Sequence, residues 1–320
     1  MSAVDGVASA RAKRRHSAAS LIELLVDEGS HRSWDTAVPC PGPEFGDGYR
    51  RELIAARERS GVDESVLTGE ARIGGRRVAL IACEFAFLAG SVGLASAERI
   101  VLALERATAE RLPVLASTAS GGTRMQEGTR AFVAMVKIAA AVAAHKAEGL
   151  PYLVYLRHPS TGGALASFGS LGQLTVAEPG ALVGFLGPRV FEAIYGEEFP
   201  ADVQTAENLA RRGLIDGVLP APELRETVRR VLDLLEPPAY STLVARSGDP
   251  GTSAADPPGS EDPWGSIVRT RDPRRPGLRE LLRIAASDVV PLSGTGQGER
   301  DPGLSLCLAR FGGIPAVVVG

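Results

Sequence analysis

Residues 17–27 place apolar positions at the spacing of a short amphipathic helix, and Tyr49–Arg59 predicts a second helix after a Gly/Pro-rich stretch from Pro39 to Gly48. A hairpin follows: Leu67–Ile73, the pair Gly74-Gly75, then Arg76–Phe85. Two glycines at that point suit the positive φ angles of a tight primed turn. Beyond it helical and strand patterns alternate. Ser91–Arg111 has helical period and Pro113–Ser117 reads as a buried strand. Thr129–Glu148 predicts a helix with Phe132, Val136, Ala139 and Val142/Ala143 on its apolar face, ended by Gly149 and Pro151. Strand Pro151–Leu156, a helix from Ala164 to Gly172, strand Ala181–Phe185 and a short helix Thr205–Arg212 complete the series. Such alternation predicts parallel strands with crossover helices, an α/β domain running to about residue 236.

Pro237–Pro263 is rich in Pro, Gly, Ser and Asp and reads as a flexible linker, and Trp264–Arg283 is again helical in character. The last residues repeat the hairpin. Ala71–Ile81 is echoed by Ala309–Val319 at a constant offset, each with Gly-Gly between an Arg-bearing strand and an apolar one. Either two hairpins agree by chance, or a second copy of the domain begins near residue 264 and stops after its first hairpin. In the latter case the apolar strand is an open edge unless another segment or chain covers it. The expected organisation is an N-terminal helical extension over 1–48, the α/β domain over 49–236, the linker over 237–263 and an incomplete second domain over 264–320.

Composition sharpens this only in places. The aromatic share is 5% against 37 glycines in 320 residues, which favours close backbone packing. A net charge of -3 offers no broad basic field, so nucleic acid is not an expected partner. The short run Arg11, Lys13, Arg14 and Arg15 reads as a solvated tail or a dock for an anionic partner. Glu23 interrupts the only early apolar stretch, Leu21–Val26, so no secretory signal is expected. No run approaches the roughly 18 apolar residues of a membrane span, and no membrane association is expected. Cys40, Cys83 and Cys307 stand far apart, giving neither a disulfide framework nor a four-cysteine zinc ribbon, and the cytoplasm is the expected location.

The common catalytic motifs are absent: no G-x-S-x-G elbow, no H-E-x-x-H, no phosphate-binding G-x-x-x-x-G-K-[ST]. His16, His31, His145 and His158 are isolated and read as solvated or structurally bonded, with His158 set apart because a glycine pair follows it. What remains are two glycine turns at the carboxyl ends of predicted strands, Ser117–Arg124 and His158–Ala164. Ligands of parallel α/β sheets collect outside those ends. Paired glycines opening a helix expose free N–H donors at the positive end of the helix dipole, which suits an oxyanion. Glycines also serve simply to permit tight turns, and one such site alone does not separate the two readings.

Ser120-Gly121-Gly122-Thr123-Arg124-Met125-Gln126-Glu127-Gly128 resembles the S-G-G-x-R-[MI]-Q-E-G signature of biotin-dependent acyl-CoA carboxyltransferases. His158–Gly163 with Ala166-Ser167-Phe168 resembles their H-P-T-T-G-G…A-S-F segment, and Ala177–Phe185 with Gly187-Pro188-Arg189-Val190 resembles their A-E-P-G-A-L-I-G-F…G-P-R-V block. The match is closest to the β subunit of bacterial acetyl-CoA carboxylase over about residues 50–220, and Asp262–Leu282 resembles the opening of the α subunit. The resemblance implies a crotonase-like spiral of ββα units and transfer of a carboxyl group from carboxybiotin to acetyl-CoA or another acyl-CoA, giving malonyl-CoA for fatty acid synthesis. It further implies a biotin carboxyl carrier protein and biotin carboxylase as partners, and a homo- or hetero-oligomer.

Carried onto this chain, the resemblance makes Gly162 and Gly163 the backbone oxyanion hole for the thioester enolate, and Gly121 and Gly122 a wall of the same CoA pocket. Arg124, Gln126 and Glu127 would order that wall or touch substrate; a structural Arg124–Glu127 ion pair is the alternative. Arg189 would reach a CoA phosphate or remain solvated. No zinc is expected. The α-type half, which would serve biotin, is expected to be incomplete at Gly320. A malonyl-thioester decarboxylase on the same fold and a non-catalytic assembly subunit are the competing readings.

Overall fold

The computed structural model describes residues 16–38, 42–200, 202–235, 263–272, 274, 276–293, 301 and 303–320. The basic run at 11–15, Cys40 and nearly all of the expected linker lie outside the described residues. Two compact units emerge, Met1–Arg229 with Leu292–Asp301, and Arg230–Pro291 with Pro302–Gly320.

In the first unit, helix α1 (Ala18–Leu25) starts at Ser17, whose hydroxyl accepts the Ser20 amide at 3.1 Å, and buries Ala18, Leu21, Ile22 and Leu25. Strand β1 (Arg32–Ser33) then adds to the edge of β2. Within the expected extension over 1–48, helix α1 packs its apolar side into the core, while most described residues after Val26 remain exposed or half-buried. Buried Arg157 tightens the join, donating to the carbonyl of His16 at 2.9 Å, to Ser117 Oγ at 2.9 Å and to the carbonyl of Cys83. Burial away from water pushes the Arg157 pKa down.

Helix α2 (Gly46–Ser60) ends at a left-handed Gly61, and the hairpin β2 (Val66–Ile73) and β3 (Arg76–Cys83) leads into α3 (Leu94–Ala109). Strand β4 (Val114–Ser120), helix α4 (Gly128–Ala147) and strand β5 (Tyr152–Thr161) follow. Helix α5 opens at Gly162–Ala164 and continues as a π turn over Leu165–Gly169. Strands β6 (Leu174–Ala177) and β7 (Val183–Gly184), helices α6 (Pro188–Tyr195) and α7 (Ala206–Arg211), strand β8 (Gly217–Val218) and helix α8 (Ala221–Leu235) complete the series. The sheet runs β1-β2-β3-β4-β5-β6-β8 with β7 attached to β5. It is antiparallel through the hairpin and parallel from β3 onward. Every residue of β4 is buried, as a central parallel strand covered on both faces requires.

The expected apolar face of α4 is corrected. Phe132 and Val136 are 66% exposed, while Ala131, Ala134, Met135, Ile138, Val142 and His145 face the core. The helix is apolar nearly all round, so its period does not select a side; packing against the sheet does. Ile138→Ala should cost about 2–5 kcal/mol as a buried cavity. Phe132→Ser should stay within about 0.5 kcal/mol, as an exposed position does, and urea unfolding midpoints separate the two cases. The expectation that no stretch matches a membrane span also needs correction. Met125–Ala147 is 23 residues long and apolar enough by length and composition, although one side of it lies in the core.

Other boundaries move for local reasons. The strand expected at Ala181–Phe185 shrinks to β7, because the amides of Val183 and Ala206 instead tie 181–183 to the chain at 204–206. The helix expected over Ala164–Gly172 starts earlier, at Gly162, and ends at Gly169.

In the second unit, the helix expected over Trp264–Arg283 breaks into α9 (Pro263–Thr270) and α10 (Leu278–Ala285). Pro276 and Gly277 stand between them, and a proline cannot continue a helical hydrogen-bond ladder. Strands β9 (Ala286–Leu292), β10 (Leu306–Phe311) and β11 (Ile314–Val319) form a separate sheet in the order β11-β10-β9. The repeated hairpin is structural as well as written in the sequence. Ala71↔Val78, Arg72↔Arg77 and Ile73↔Arg76 in the first unit have counterparts Ala309↔Ala316, Arg310↔Pro315 and Phe311↔Ile314. Gly74 (φ 58°) and Gly75 (φ 81°) match Gly312 (φ 55°) and Gly313 (φ 89°). Even the arginine brace recurs, Arg72 donating to the Gly75 carbonyl at 2.5 Å and Arg310 to the Gly313 carbonyl at 3.0 Å.

Candidate active site

Ser120 on β4 pairs with Ser160 on β5, so the glycine turns leaving the two strands meet face to face. Gly122 (φ 108°) and Gly162 (φ 59°) both take backbone angles that side chains resist. A Cβ on Gly122 would stand 3.3 Å from Gly163 N, and one on Gly162 would stand 3.3 Å from Gly122 Cα. A Cβ on Gly163 would overlap Thr123 Oγ1 and touch Met135 Sδ at 3.4 Å. Glycine is thus required by close backbone approach, in addition to the turns themselves.

Hydroxyls fasten the two turns together. Ser120 Oγ donates to the Gly90 carbonyl at 2.6 Å and accepts the Gly122 amide at 3.0 Å. Thr161 Oγ1 donates to the Ser120 carbonyl at 3.2 Å, and Thr118 Oγ1 lies 2.6 Å from Ser160 Oγ. The amides of the two turns differ in availability. Gly121 N already donates to the Ala89 carbonyl at 2.9 Å, and Gly122 N to Ser120 Oγ. Helix α5 has no side-chain cap at Thr161, and first-turn amides have no partner inside a helix. The donors at this junction therefore belong to the start of α5, around Gly163, and the Gly121-Gly122 turn is the wall opposite.

Behind that wall sits Arg124, 1% exposed. Its guanidinium donates to both oxygens of Glu64 (2.9 Å to Oε2), to the Ser91 carbonyl at 2.7 Å and to Ser65 Oγ at 3.1 Å. Glu127 lies 3.5 Å away and accepts from Tyr49 and from the Leu94 amide. Burial opposes the charged guanidinium, but the hydrogen bonds and charge of Glu64 outweigh it and hold its pKa above the ordinary arginine value. Burial likewise raises the Tyr49 hydroxyl. Arg124 and Glu127 thus have most of their bonding capacity spent inside the protein, and with Tyr49, Glu64 and Leu94 they line a cavity of about 590 Å³. Gln126 is exposed and donates to Glu52 of α2 at 2.9 Å. It lines a shallow hollow with Leu88, Ala89, Gly121, Thr123 and Met125. The side chain of Arg189, at the start of α6, lies outside the described residues.

Several of these partners carry no sequence signal. Glu64 is one unremarkable carboxylate, and Thr123 and Met135 sit under Gly163 only through tertiary packing. Leu88 (φ 45°) and Ala89 (φ 55°) precede Gly90 (φ 64°) in a left-handed turn whose Ala89 carbonyl holds Gly121. Two non-glycine residues in that region are strained, a feature that gathers at functional sites. His145 is buried between Thr108 Oγ1 (2.9 Å) and the Pro151 carbonyl (3.3 Å), with its pKa lowered by burial, and serves packing. Among the described residues no cluster of three His, Cys, Asp or Glu side chains could hold a metal.

A hairpin feeding repeated strand–helix units, with glycine turns meeting at the strand ends, defines a crotonase-like fold. The chain belongs to the carboxyl transferase domain family, whose model matches residues 10–320. It is 57% identical over 303 residues to a protein of Mycobacterium tuberculosis named "Probable biotin-dependent acyl-coenzyme A carboxylase beta3 subunit", covering 94% of this chain and 59% of that one. It is 37% identical over 321 residues to the acetyl-coenzyme A carboxylase carboxyl transferase subunits beta/alpha of Salinispora arenicola, covering 97% and 56%. The chain thus spans less than two thirds of the length of these relatives. The solved structure of transcarboxylase 12S with hydrolysed methylmalonyl-coenzyme A shares the fold, at a TM-score of 0.70 and 20% identity over 98% of this chain and 58% of that one.

Proposed function

We propose that the protein is the carboxyltransferase component of a biotin-dependent acyl-CoA carboxylase, with acetyl-CoA as acceptor, malonyl-CoA as product and fatty acid synthesis as its purpose. The observation that carries this is the junction of the two glycine turns, where the start of α5, which has no side-chain cap, lies so close to the Gly121-Gly122 backbone that an added Cβ on Gly122 would stand 3.3 Å from Gly163 N. Such a site stabilises a developing oxyanion without a catalytic side chain. In this reading Gly163, with Gly162 shaping the turn, binds the thioester oxygen as it gains negative charge. The Gly121-Gly122 wall excludes water and fixes the acyl group. Carboxybiotin, delivered on a carrier protein, would supply the carboxyl group and the base. The partners are then the biotin carboxyl carrier protein and biotin carboxylase, in the cytoplasm.

The test runs the reaction in reverse on the full-length protein with malonyl-CoA and biocytin. Carboxybiocytin and acetyl-CoA should form together. Acetyl-CoA formed without biocytin would replace this reading with a decarboxylase, and no binding of any CoA thioester would favour an assembly subunit. Rates with methylmalonyl-CoA against malonyl-CoA decide the acyl preference.

A further inference from the structure

We infer that His158 is a positioning residue for the oxyanion turn, acting through strand β7; this rests on the carboxyltransferase reading above. His158 lies on β5, four residues before Gly162. Its Nδ1 accepts the backbone amide of Leu182 at 3.1 Å. The carbonyl of the same Leu182 accepts the amide of Ser160 at 2.9 Å. Both main-chain groups of Leu182 are thus held by residues 158 and 160, and an imidazole nitrogen takes the place of a main-chain acceptor. The His158 amide is in turn held by Glu178 Oε2 at 3.1 Å.

The consequence reaches the site through the pairs that come next, Ser160↔Val183 and Thr161↔Gly184. Thr161 is the residue from which α5 starts, so the position of β7 sets the direction in which the amides around Gly163 point. The far side of residues 181–183 is fastened independently, with Val183 N donating to the Gln204 carbonyl at 2.9 Å and Ala206 N to the Ala181 carbonyl at 3.0 Å. Losing the imidazole acceptor therefore loosens β7 on the side of the oxyanion turn and leaves the rest of the segment attached. A group that aims donors at charge developing in the transition state acts on kcat more than on substrate affinity.

The test compares His158→Asn, whose amide oxygen can still accept from Leu182, with His158→Phe, which fills the space without an acceptor. In the full-length protein, His158→Phe should lower kcat for a CoA thioester by about tenfold to a hundredfold, the order that a displaced reacting group costs, with KM within about threefold. His158→Asn should retain most of the activity. Hydrogen exchange followed by mass spectrometry should show protection at the Leu182 amide lost in His158→Phe and kept in His158→Asn. Unchanged kcat and unchanged Leu182 protection in His158→Phe would overturn the role. So would an Asn variant as impaired as the Phe variant, or a rise confined to KM. Wild-type protein inert toward every CoA thioester would overturn the proposed function and this role together, a result distinct from turnover that His158→Phe leaves untouched.

Discussion

Gly163→Ala is expected to lower kcat for CoA thioesters by about a hundredfold to a thousandfold, the range measured when one oxyanion donor is lost. The reason is local. The added Cβ overlaps Thr123 Oγ1 and meets the Met135 side chain, so the start of α5 must move away from the Gly121-Gly122 wall. Thr123 is short and follows directly on the wall, and Met135 is 6% exposed on α4, so neither can yield far. A displacement of even about 1 Å at such amides suffices for a large kinetic loss. Gly163→Val should be more severe and should also weaken CoA thioester binding. Steady-state kinetics on the full-length protein, with circular dichroism to confirm folding, check both variants. Activity within threefold of wild type in Gly163→Ala would remove the oxyanion assignment.

Arg124→Met carries the largest expected effect on stability. Glu64 is 2% exposed and Glu127 8% exposed, and both are arranged around this one guanidinium. Removing the cation leaves the buried Glu64 carboxylate without its counter-charge and Glu127 with only the neutral donors Tyr49 and the Leu94 amide, and breaking a buried pair in this way costs about 3–5 kcal/mol. The loss should appear as a lower urea midpoint with an unchanged slope. Arg124→Lys should recover only part of it, because an ammonium cannot span Glu64, Ser65 and the Ser91 carbonyl at once. The same contacts explain why the wall stands where it does: Arg124 pins the chain after Gly122 to the loops carrying Glu64 and Ser91.

The glycine pairs show how far residues alone could take the site. Gly121-Gly122 and Gly162-Gly163 were legible because each follows a predicted parallel strand and is followed by a helical pattern, unlike the hairpin pairs Gly74-Gly75 and Gly312-Gly313. Their order in the chain already placed them at the ends of neighbouring strands. Their division of labour came only from the family resemblance, and composition and spacing gave no physical reason for it. It depends on whose amides are consumed, and Gly121 is consumed by Ala89, a residue marked only by a left-handed backbone. Arg124 and Glu127 stood in the signature as wall-ordering residues, possible ligands or an ion pair. Only the 1% exposure of Arg124 and the presence of Glu64, sixty residues earlier in the chain, separate those roles. Helix α4 is the clearest miss. Its sequence is apolar on nearly every side, so hydrophobic periodicity could not choose between the Phe132 face and the Ile138 face.

What the sequence determined by itself is therefore local and periodic: the hairpin turns at Gly74-Gly75 and Gly312-Gly313, the alternation of strands and helices, and the two glycine turns. These depend on neighbours along the chain, and backbone sterics fix them wherever the segment sits. The tertiary structure alone decided which helix face is buried, that the amides of Gly121 and Gly122 are already consumed, and that His158 Nδ1 accepts the Leu182 amide while Glu178 accepts that of His158. Those depend on groups brought together from distant positions. No spacing in the sequence records the competition for a hydrogen bond or for space in a packed core.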